Sequence, residues 1–305
     1  MIRLMRGSLS GTSSRAEDVL RQAAELRVDE VVFYSLFEIS KTLDPEELRA
    51  AKLLAAELGV GLGSALEWLN PLRPARNAAE LALGDGDYVK GISTIIGAAA
   101  NLNIDEMFFT IGTLDDRKGN WTEQLAAVAD TLKALAPVLA DCNMRLLVKT
   151  HEEITSFEVL RLIETVGSGS LGVSFDPVNM LVRLEDPVDV AARLAPFIRQ
   201  VHIDDAILQF EGNGIRRYLC RAGDGIVDWD AIFALVPGAK RLIELHSGQF
   251  AMPIFDPEFI AEQDYLTLPA FASIVEMATR NLHTSPPIQG DFDARLAAAI
   301  RRTLR

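Results

Sequence analysis

This chain alternates repeatedly between short apolar runs and longer segments of helical period, and few folds accommodate that pattern. The runs are rich in β-branched and aromatic residues, as buried strands are. Eight runs are predicted as strands, at residues 2–4, 30–34, 61–65, 106–111, 146–149, 171–175, 199–203 and 241–245. Strands that alternate with helices along a chain indicate a parallel sheet.

The segments between the runs are predicted as helices, at residues 15–26, 45–58, 88–101, 122–139, 157–166 and 188–195, with two more at 229–235 and 268–280. Two of them begin with capping signals, Asp44 before Pro45 and the capping-box spacing of Thr155 and Glu158. Eight strands, each followed by a helix, predict an α/β fold of the (β/α)8 TIM-barrel type. The rival is an open doubly wound sheet, but no Gly-x-Gly-x-x-Gly motif follows any predicted strand.

One TIM-barrel domain is predicted over residues 1–305, because no linker or low-complexity segment divides the chain. Its composition, 49% hydrophobic and 24% charged, is typical of a globular protein with a large core. Prolines and a glycine at residues 283–290 indicate a loop, after which residues 291–305 are predicted as an extra amphipathic helix.

Charge and cysteine content argue against several classes of protein. The net charge of −13 disfavours nucleic acid as a partner, and the basic cluster of Arg301, Arg302 and Arg305 suits the end of a helix. Cys142 and Cys220 are too few for a disulfide framework, so we expect a cytoplasmic protein. The sequence shows neither the apolar core of a signal peptide nor a membrane-spanning run, so no membrane partner is expected.

Polar side chains gather at the predicted strand ends, where TIM barrels place their active sites. Asp176 follows one strand, His202 lies inside the next, and Glu244 alternates with His246 at the end of the last. Taken singly, each is as well explained by hydrogen bonds at the barrel rim. Together, carboxylate and imidazole donors from three strands suit Mn²⁺, Mg²⁺, Co²⁺ or Zn²⁺, and we predict a metal site at Asp176, His202 and Glu244.

Four segments, "LGVSFDPVN", "VHIDD", "RAGDGIVDW" and "LIELH", resemble in order and spacing the xylose isomerase-like TIM barrels of the sugar phosphate isomerase/epimerase superfamily. That group includes dehydratases, isomerases, epimerases and apurinic endonucleases. The resemblance implies four strand-end metal ligands, a Glu, an Asp, a His and a Glu, the last three falling on Asp176, His202 and Glu244. It implies a divalent metal, with Mn²⁺ favoured, and a small sugar or sugar-like substrate.

The sequence departs from the family at the fifth strand, which ends in Lys149 where relatives often have the first Glu ligand. An ammonium cannot ligate a metal, and three accounts are open. In the first, His151 or Glu152 completes the metal shell and Lys149 binds substrate. In the second, Lys149 loses its proton and acts as a base or Schiff-base nucleophile. In the third, no metal binds and Lys149 pairs with Asp176 or Glu244. The first is favoured, and Lys149, His151 and Glu244 are the predicted catalytic residues.

The resemblance implies a metal-dependent sugar isomerase or epimerase that removes a proton next to a carbonyl and passes through an enediolate. A lyase or dehydratase shares this first step, and a barrel that has lost a metal ligand could instead be non-catalytic. The apurinic endonuclease reaction is disfavoured, since the chain has only four histidines.

Several further residues are predicted to bind substrate. The aromatic face of Trp68 could stack on a sugar ring, although the residue is equally suited to packing at the barrel mouth. Arg216 and Arg217 could reach an anionic group of the substrate from a mobile loop, although a solvated arginine pair is the commoner outcome. The apolar segment 250–257 is a candidate lid or subunit contact, so a homo-oligomer is expected. The predicted substrate-binding residues are Trp68, Asn179, Asp204, Arg216 and His246.

Overall fold

The computed structural model describes residues 1–9, 11, 15–283, 285–287 and 291–304. The strands are β1 (Arg3–Met5), β2 (Glu30–Phe33), β3 (Gly61–Ser64), β4 (Glu67–Trp68), β5 (Glu106–Thr110), β6 (Arg145–Lys149), β7 (Leu171–Phe175), β8 (Ile198–Ile203), β9 (Asp205–Glu211), β10 (Gly214–Cys220), β11 (Lys240–Ile243) and β12 (Phe250–Met252). All except β9, β10 and β12 form one parallel sheet, in the order β3-β2-β1-β11-β8-β7-β6-β5-β4.

The two strands at the edges of this sheet, β3 and β4, are halves of one interrupted strand. β3 pairs with β2, whereas β4 pairs with β5. Between them, the Ala65 amide donates to the Phe33 carbonyl oxygen and the Leu66 amide donates to the Phe108 carbonyl oxygen, each at 2.8 Å. The sheet therefore closes on itself, and the predicted TIM barrel is confirmed.

The helices are α1 (Ala16–Glu25), α2 (Pro45–Leu58), α3 (Ala78–Leu83), α4 (Tyr88–Asn101), α5 (Leu114–Arg117), α6 (Trp121–Asp141), α7 (Ser156–Val166), α8 (Pro177–Met180), α9 (Pro187–Leu194), α10 (Trp229–Leu235), α11 (Pro257–Ala261), α12 (Leu268–Thr279) and α13 (Phe292–Thr303). Single turns of 3-10 helix lie at Arg6–Ser8, Leu36–Glu38 and Leu181–Arg183. Among the described helices, none is both long and apolar enough to cross a membrane.

Local signals explain where several helices begin. Asp44 Oδ1 accepts hydrogen bonds from the amides of Glu46 and Glu47 at the start of α2, and Thr155 forms the predicted capping box with Glu158 at the start of α7. The C-terminal helix is α13, while four residues of the predicted 283–290 loop and Arg305 lie outside the described residues.

The barrel interior is layered by the period of two along each strand. An apolar layer crosses its middle, formed by Met5, Val32, Ala65, Phe108, Leu147 and Leu242. Two positions further along their chains, Lys149 follows Leu147 and Glu244 follows Leu242, so both side chains point inward above this layer. The apolar layer is thus the floor of a polar chamber at the carboxyl end of the strands, which we call the barrel mouth.

A three-stranded antiparallel sheet follows the seventh barrel strand, in the order β12-β10-β9. The sequence predicted a mobile loop around Arg216 and Arg217, and this prediction is wrong. Glu211 pairs with Gly214 across a two-residue turn, in which Gly212 has a φ of +54°. Glycine adopts this left-handed conformation without strain, so the "EGNG" segment is a hairpin turn. The third strand, β12, comes from the segment predicted as a lid or subunit contact.

Candidate active site

Lys149 ends β6 inside the barrel mouth and is only 3% exposed. Its Nζ donates to Glu244 Oε2 at 2.6 Å and lies 3.3 Å from Asp176 Oδ2. Burial alone would lower the pKa of the ammonium, but the two carboxylates outweigh burial and hold the pKa above its usual value. Lys149 is therefore a charged group fixed between two carboxylates, which argues against a neutral lysine acting as a nucleophile.

Glu244 follows β11 and also contacts His202 of β8. His202 Nδ1 lies 2.5 Å from Glu244 Oε2, and on the other side of the ring Nε2 lies 2.5 Å from Ser174 Oγ and 3.3 Å from Gln200 Nε2. Burial lowers the pKa of His202, so the imidazole is neutral, with Nδ1 donating to the carboxylate and Nε2 accepting. Both nitrogens of His202 are thus used within the protein.

His246, rather than the predicted His202, joins Asp176 and Glu244 in a group of ligand-type atoms that lie within 4.8 Å of one another. His246 Nε2 lies 2.9 Å from Asp176 Oδ2 without the alignment of a hydrogen bond, and Asp176 Oδ1 is buried with no hydrogen-bond partner among the described residues. An unpaired buried carboxylate oxygen beside a second carboxylate and an imidazole fits a divalent cation. Such an ion would compete with the Lys149 ammonium for the same carboxylates.

Asp204 and Arg295 hold His246 in place. Asp204 Oδ2 lies 3.0 Å from His246 Nδ1 and accepts from its backbone amide at 2.9 Å. Arg295 of α13 donates to both Asp204 oxygens, at 2.8 and 2.7 Å, and to the His246 carbonyl oxygen at 2.9 Å. Burial alone would lower the pKa of His246, but the Asp176 carboxylate raises it to about 9, so His246 is an imidazolium at neutral pH.

A second group of ligand-type residues follows β6, formed by His151, Glu152 and Glu153. His151 Nδ1 lies 2.6 Å from Glu153 Oε2 and Nε2 lies 2.7 Å from Glu152 Oε2. Burial alone would lower the pKa of His151, but Glu153 and Glu152 raise it to about 10. His151 is therefore a charged imidazolium bound by its own neighbours, separate from the group around Asp176.

Asn179 and Arg216, both predicted to bind substrate, lie in different settings. Asn179 in α8 is buried and donates to Asp176 Oδ2 at 2.9 Å, so it belongs to the mouth. Arg216 points to the opposite face of the hairpin from the buried Arg217 and pairs with Glu211 at 2.8 Å. The structure brings Asn179 to the candidate site and leaves Arg216 on the outer face.

Trp68 lies at the carboxyl end of the interrupted third strand. The Arg76 guanidinium covers one face of its ring, 4.3 Å from the ring centre. The preceding residue, Glu67, has a φ of +58°, a strained conformation for a residue with a side chain. One face of Trp68 is therefore committed to a protein contact.

Four residues of the mouth were missed from the sequence. Ser174 and Gln200 each lie two positions before a predicted ligand, so the period of two along a strand could have identified them. Arg217 was passed over in favour of Arg216, although only Arg217 faces the barrel. Arg295 comes from the far end of the chain and has no local signal.

A family model described as "Xylose isomerase-like TIM barrel" matches residues 20–259. The uncharacterized protein YihM of Escherichia coli K12 is 30% identical over 115 residues, 38% of this chain and 35% of YihM. The 3-oxo-isoapionate decarboxylase of Pectobacterium atrosepticum is 30% identical over 114 residues, 37% of this chain and 42% of that enzyme. The matched region spans less than half the length of each relative.

Solved structures share the fold at lower identity. A D-allulose 3-epimerase from Methylomonas superposes with a TM-score of 0.60 at 15% identity, covering 99% of this chain and 97% of the epimerase. A probable 3-DHS dehydratase, AsbF of Bacillus anthracis, gives 0.55 at 15% identity, covering 92% and 99%. The IolI protein with a bound zinc atom gives 0.59 at 14% identity, covering 97% and 98%. At these identities the likeness shows the barrel fold alone.

Proposed function

Because the chain belongs to the xylose isomerase-like TIM-barrel family, we propose that it is an enzyme that converts a small sugar-like hydroxycarbonyl compound through an enediolate. Isomerisation or epimerisation is the first candidate reaction. The observation that carries the proposal is the Lys149 ammonium, buried 2.6 Å from Glu244 and 3.3 Å from Asp176 at the barrel mouth. A preorganised cation in a dry site stabilises negative charge that develops on a substrate oxygen.

The side chains of the mouth offer a role for each stage of such a reaction. When a substrate oxygen accepts a hydrogen bond from Lys149, the carboxylate of Glu244 is released from the ammonium and becomes available as the base for the adjacent C–H bond. His246, protonated at neutral pH, is the proton donor that completes the transfer. His202 stays neutral and orients Glu244 through Nδ1.

The residues that would hold a divalent metal are Asp176, Glu244 and His246, while the predicted His202 has both nitrogens engaged. His246 would have to lose its proton to ligate the ion, so its roles as ligand and as proton donor exclude each other. A bound ion would supply Lewis-acid polarisation of the substrate carbonyl. Mixed oxygen and nitrogen donors suit Mn²⁺, which we favour, and also Zn²⁺, Co²⁺ or Mg²⁺. Such an ion would compete with the Lys149 ammonium for the carboxylates of Asp176 and Glu244.

A lyase reaction is the second candidate, and the tight hold on Glu244 favours it. Burial alone would raise the pKa of Glu244, but Lys149 and His202 lower it well below the usual value, which makes Glu244 a weak base. Loss of CO2 from a 3-keto acid needs no base for a C–H bond. The electron pair of the broken C–C bond moves to the ketone oxygen, where a cation stabilises it, and a proton donor then protonates the carbon; here these groups are Lys149 and His246. The decarboxylase relative supports this candidate.

Proton NMR in D2O tests the proposal. The purified protein is incubated, with and without Mn²⁺, with a panel of ketoses and sugar-derived keto acids. Deuterium incorporated next to the carbonyl with the carbon skeleton retained supports isomerisation or epimerisation, whereas loss of CO2 or water supports the lyase. The absence of any turnover across the panel would favour the non-catalytic barrel. A cytoplasmic location, a homo-oligomeric state and the lack of nucleic-acid or membrane partners stay predictions from the sequence.

A further inference from the structure

Arg217 of β10 lies in the roof of the barrel mouth with its side chain fully buried. Its Nη1 donates to the Val178 carbonyl oxygen at 3.0 Å and to Asn179 Oδ1 at 3.1 Å, and its Nη2 donates to the Gly248 carbonyl oxygen at 2.7 Å. All three acceptors are uncharged. Among the described residues, no carboxylate forms an ion pair with this guanidinium.

A buried charge without a counter-ion is costly, so its presence calls for an explanation. Burial lowers the pKa of Arg217 to about 10. Arg295, at the same mouth, differs in having a counter-ion: its guanidinium lies 2.7 Å from an Asp204 oxygen. In the mouth, Lys149 and Arg295 lie against carboxylates, whereas Asp176, Asp204 and Glu152 act on the Arg217 charge without forming an ion pair with it, and burial outweighs their effect.

The guanidinium also has an unused donor on a defined edge. Its Nε is buried and has no hydrogen-bond partner among the described residues. Nε and Nη2 share the edge that carboxylates contact with two oxygens. The Phe250 ring, 4.8 Å from the guanidinium carbon, holds the plane of the group in place. Arg217 is thus a preorganised, partly unsatisfied cation.

Asn179 connects this cation to the candidate site. Its Oδ1 accepts from Arg217 while its Nδ2 donates to Asp176 Oδ2 at 2.9 Å. Arg217 is therefore one side chain away from Asp176, a short distance compared with the length of a sugar carbon chain. A negative group at Arg217 would leave the rest of a small substrate over Asp176 and Lys149.

We infer that the substrate carries a carboxylate and that Arg217 binds it, so that this barrel acts on sugar acids rather than neutral sugars. The inference rests on the proposed function and narrows its substrate class. A planar carboxylate can accept a hydrogen bond from the unpaired Nε and supplies the direct ion pair that the arginine lacks.

Isothermal titration calorimetry tests this with matched pairs that differ only in the anionic group: D-glycerate and glycerol, D-xylonate and xylitol, D-gluconate and D-glucitol. We expect at least one acid to bind roughly tenfold tighter than its alditol, as a charge-assisted hydrogen bond requires. D-glucose 6-phosphate is included, and a preference for it over every acid would overturn the carboxylate assignment.

Variants locate the effect. Arg217→Met should lower the affinity for the preferred acid by about 10- to 100-fold and leave the alditol within about threefold, while Arg217→Lys should fall between. The matched control is Arg216→Met, next in the chain but on the outer face, which should stay within about twofold. Circular dichroism and the thermal midpoint establish whether each variant is folded. If Arg217→Met does not fold, the comparison of acid and alditol binding by the wild type still shows whether the site prefers a carboxylate.

The outcomes separate the two claims. An acid preference that persists in folded Arg217→Met, or equal binding of acids and alditols by the wild type, contradicts the role of Arg217 while the proposed sugar enzyme stands. Failure of the wild type to bind any acid, alditol or phosphate contradicts both.

Discussion

Replacing Lys149 by methionine removes the buried ammonium while keeping most of the side-chain volume. Nζ lies 2.6 Å from one carboxylate oxygen and 3.3 Å from another. With an effective dielectric constant of about 20, these contacts are worth about 6 and about 5 kcal/mol. Desolvation of the ammonium offsets several kcal/mol of that attraction, so we expect Lys149→Met to lower the free energy of unfolding by about 3–5 kcal/mol at pH 7.

The loss should depend on pH in one direction. Burial alone would raise the pKa of Asp176 and Glu244, but Lys149 and His246 lower the pKa of both carboxyl groups. The carboxylates therefore contribute stability above their unfolded pKa of about 4, and that stability is lost as the pH falls through their folded pKa values. In Lys149→Met much of that contribution is gone at every pH. The difference in stability between wild type and variant should therefore be largest near pH 7 and shrink below pH ~4.

Urea denaturation at pH 7 and at about pH 2 measures both quantities, because carboxylates with lowered pKa values keep most of their stabilising effect at pH ~4. Lys118→Met is the matched control, because Lys118 forms an exposed pair with Asp115 and its removal should have no measurable effect. The double variant Lys149→Met/Glu244→Gln should recover part of the loss, since it no longer buries an unpaired carboxylate. Equal stability of Lys149→Met and wild type at pH 7, or a loss independent of pH, would show that the Lys149 ammonium does not stabilise the fold through these carboxylates.

Three further predictions follow from the mouth. His246→Gln should destabilise the protein at pH 6, and the difference from wild type should shrink as pH rises through about 9. The reason is that a raised histidine pKa contributes stability that is complete below about pH 6.5 and is lost above the folded pKa. Thermal midpoints at about pH 6 and about pH 10 measure this difference, and a difference that does not change with pH would contradict the prediction. Arg295→Met should cost about 3 kcal/mol in urea denaturation, while the exposed Arg301→Met should be silent; equal effects would remove the role given to the Arg295 contact with Asp204. Mn²⁺ at about 100 times its Kd should stabilise the wild type by about 2.7 kcal/mol and leave Asp176→Asn unchanged, as followed by thermal unfolding; equal stabilisation of both would place the ion elsewhere.

The barrel could be predicted from the sequence because its strands are buried on both faces and read as continuous apolar runs. The run at 171–175 matches β7 at both ends, and the 45–58 helix matches α2, with its Asp44 cap. The β9–β10 hairpin was missed because the basic pair at Arg216 and Arg217 suggested a solvated loop. In fact alternation places one arginine on each face.

The candidate site was predicted only in outline. The period of two placed Lys149 and Glu244 inward, but β6 and β11 are separated in the sheet by β7 and β8, so their contact crosses the barrel mouth. Sequence spacing cannot reveal a contact across a closed barrel. The sequence could not decide whether His202 or His246 is the metal ligand, because both alternate with acidic or polar neighbours. Only the structure shows that both nitrogens of His202 are already used in contacts inside the barrel.

The most direct test of the site assigned here is a crystal structure of the protein soaked in Mn²⁺, with anomalous diffraction to locate the ion. We expect an anomalous peak bounded by Asp176, Glu244 and His246, with the Lys149 ammonium moved away from at least one carboxylate. A peak at His202, a peak confined to the group of residues 151–153, or no peak at saturating Mn²⁺ would contradict it.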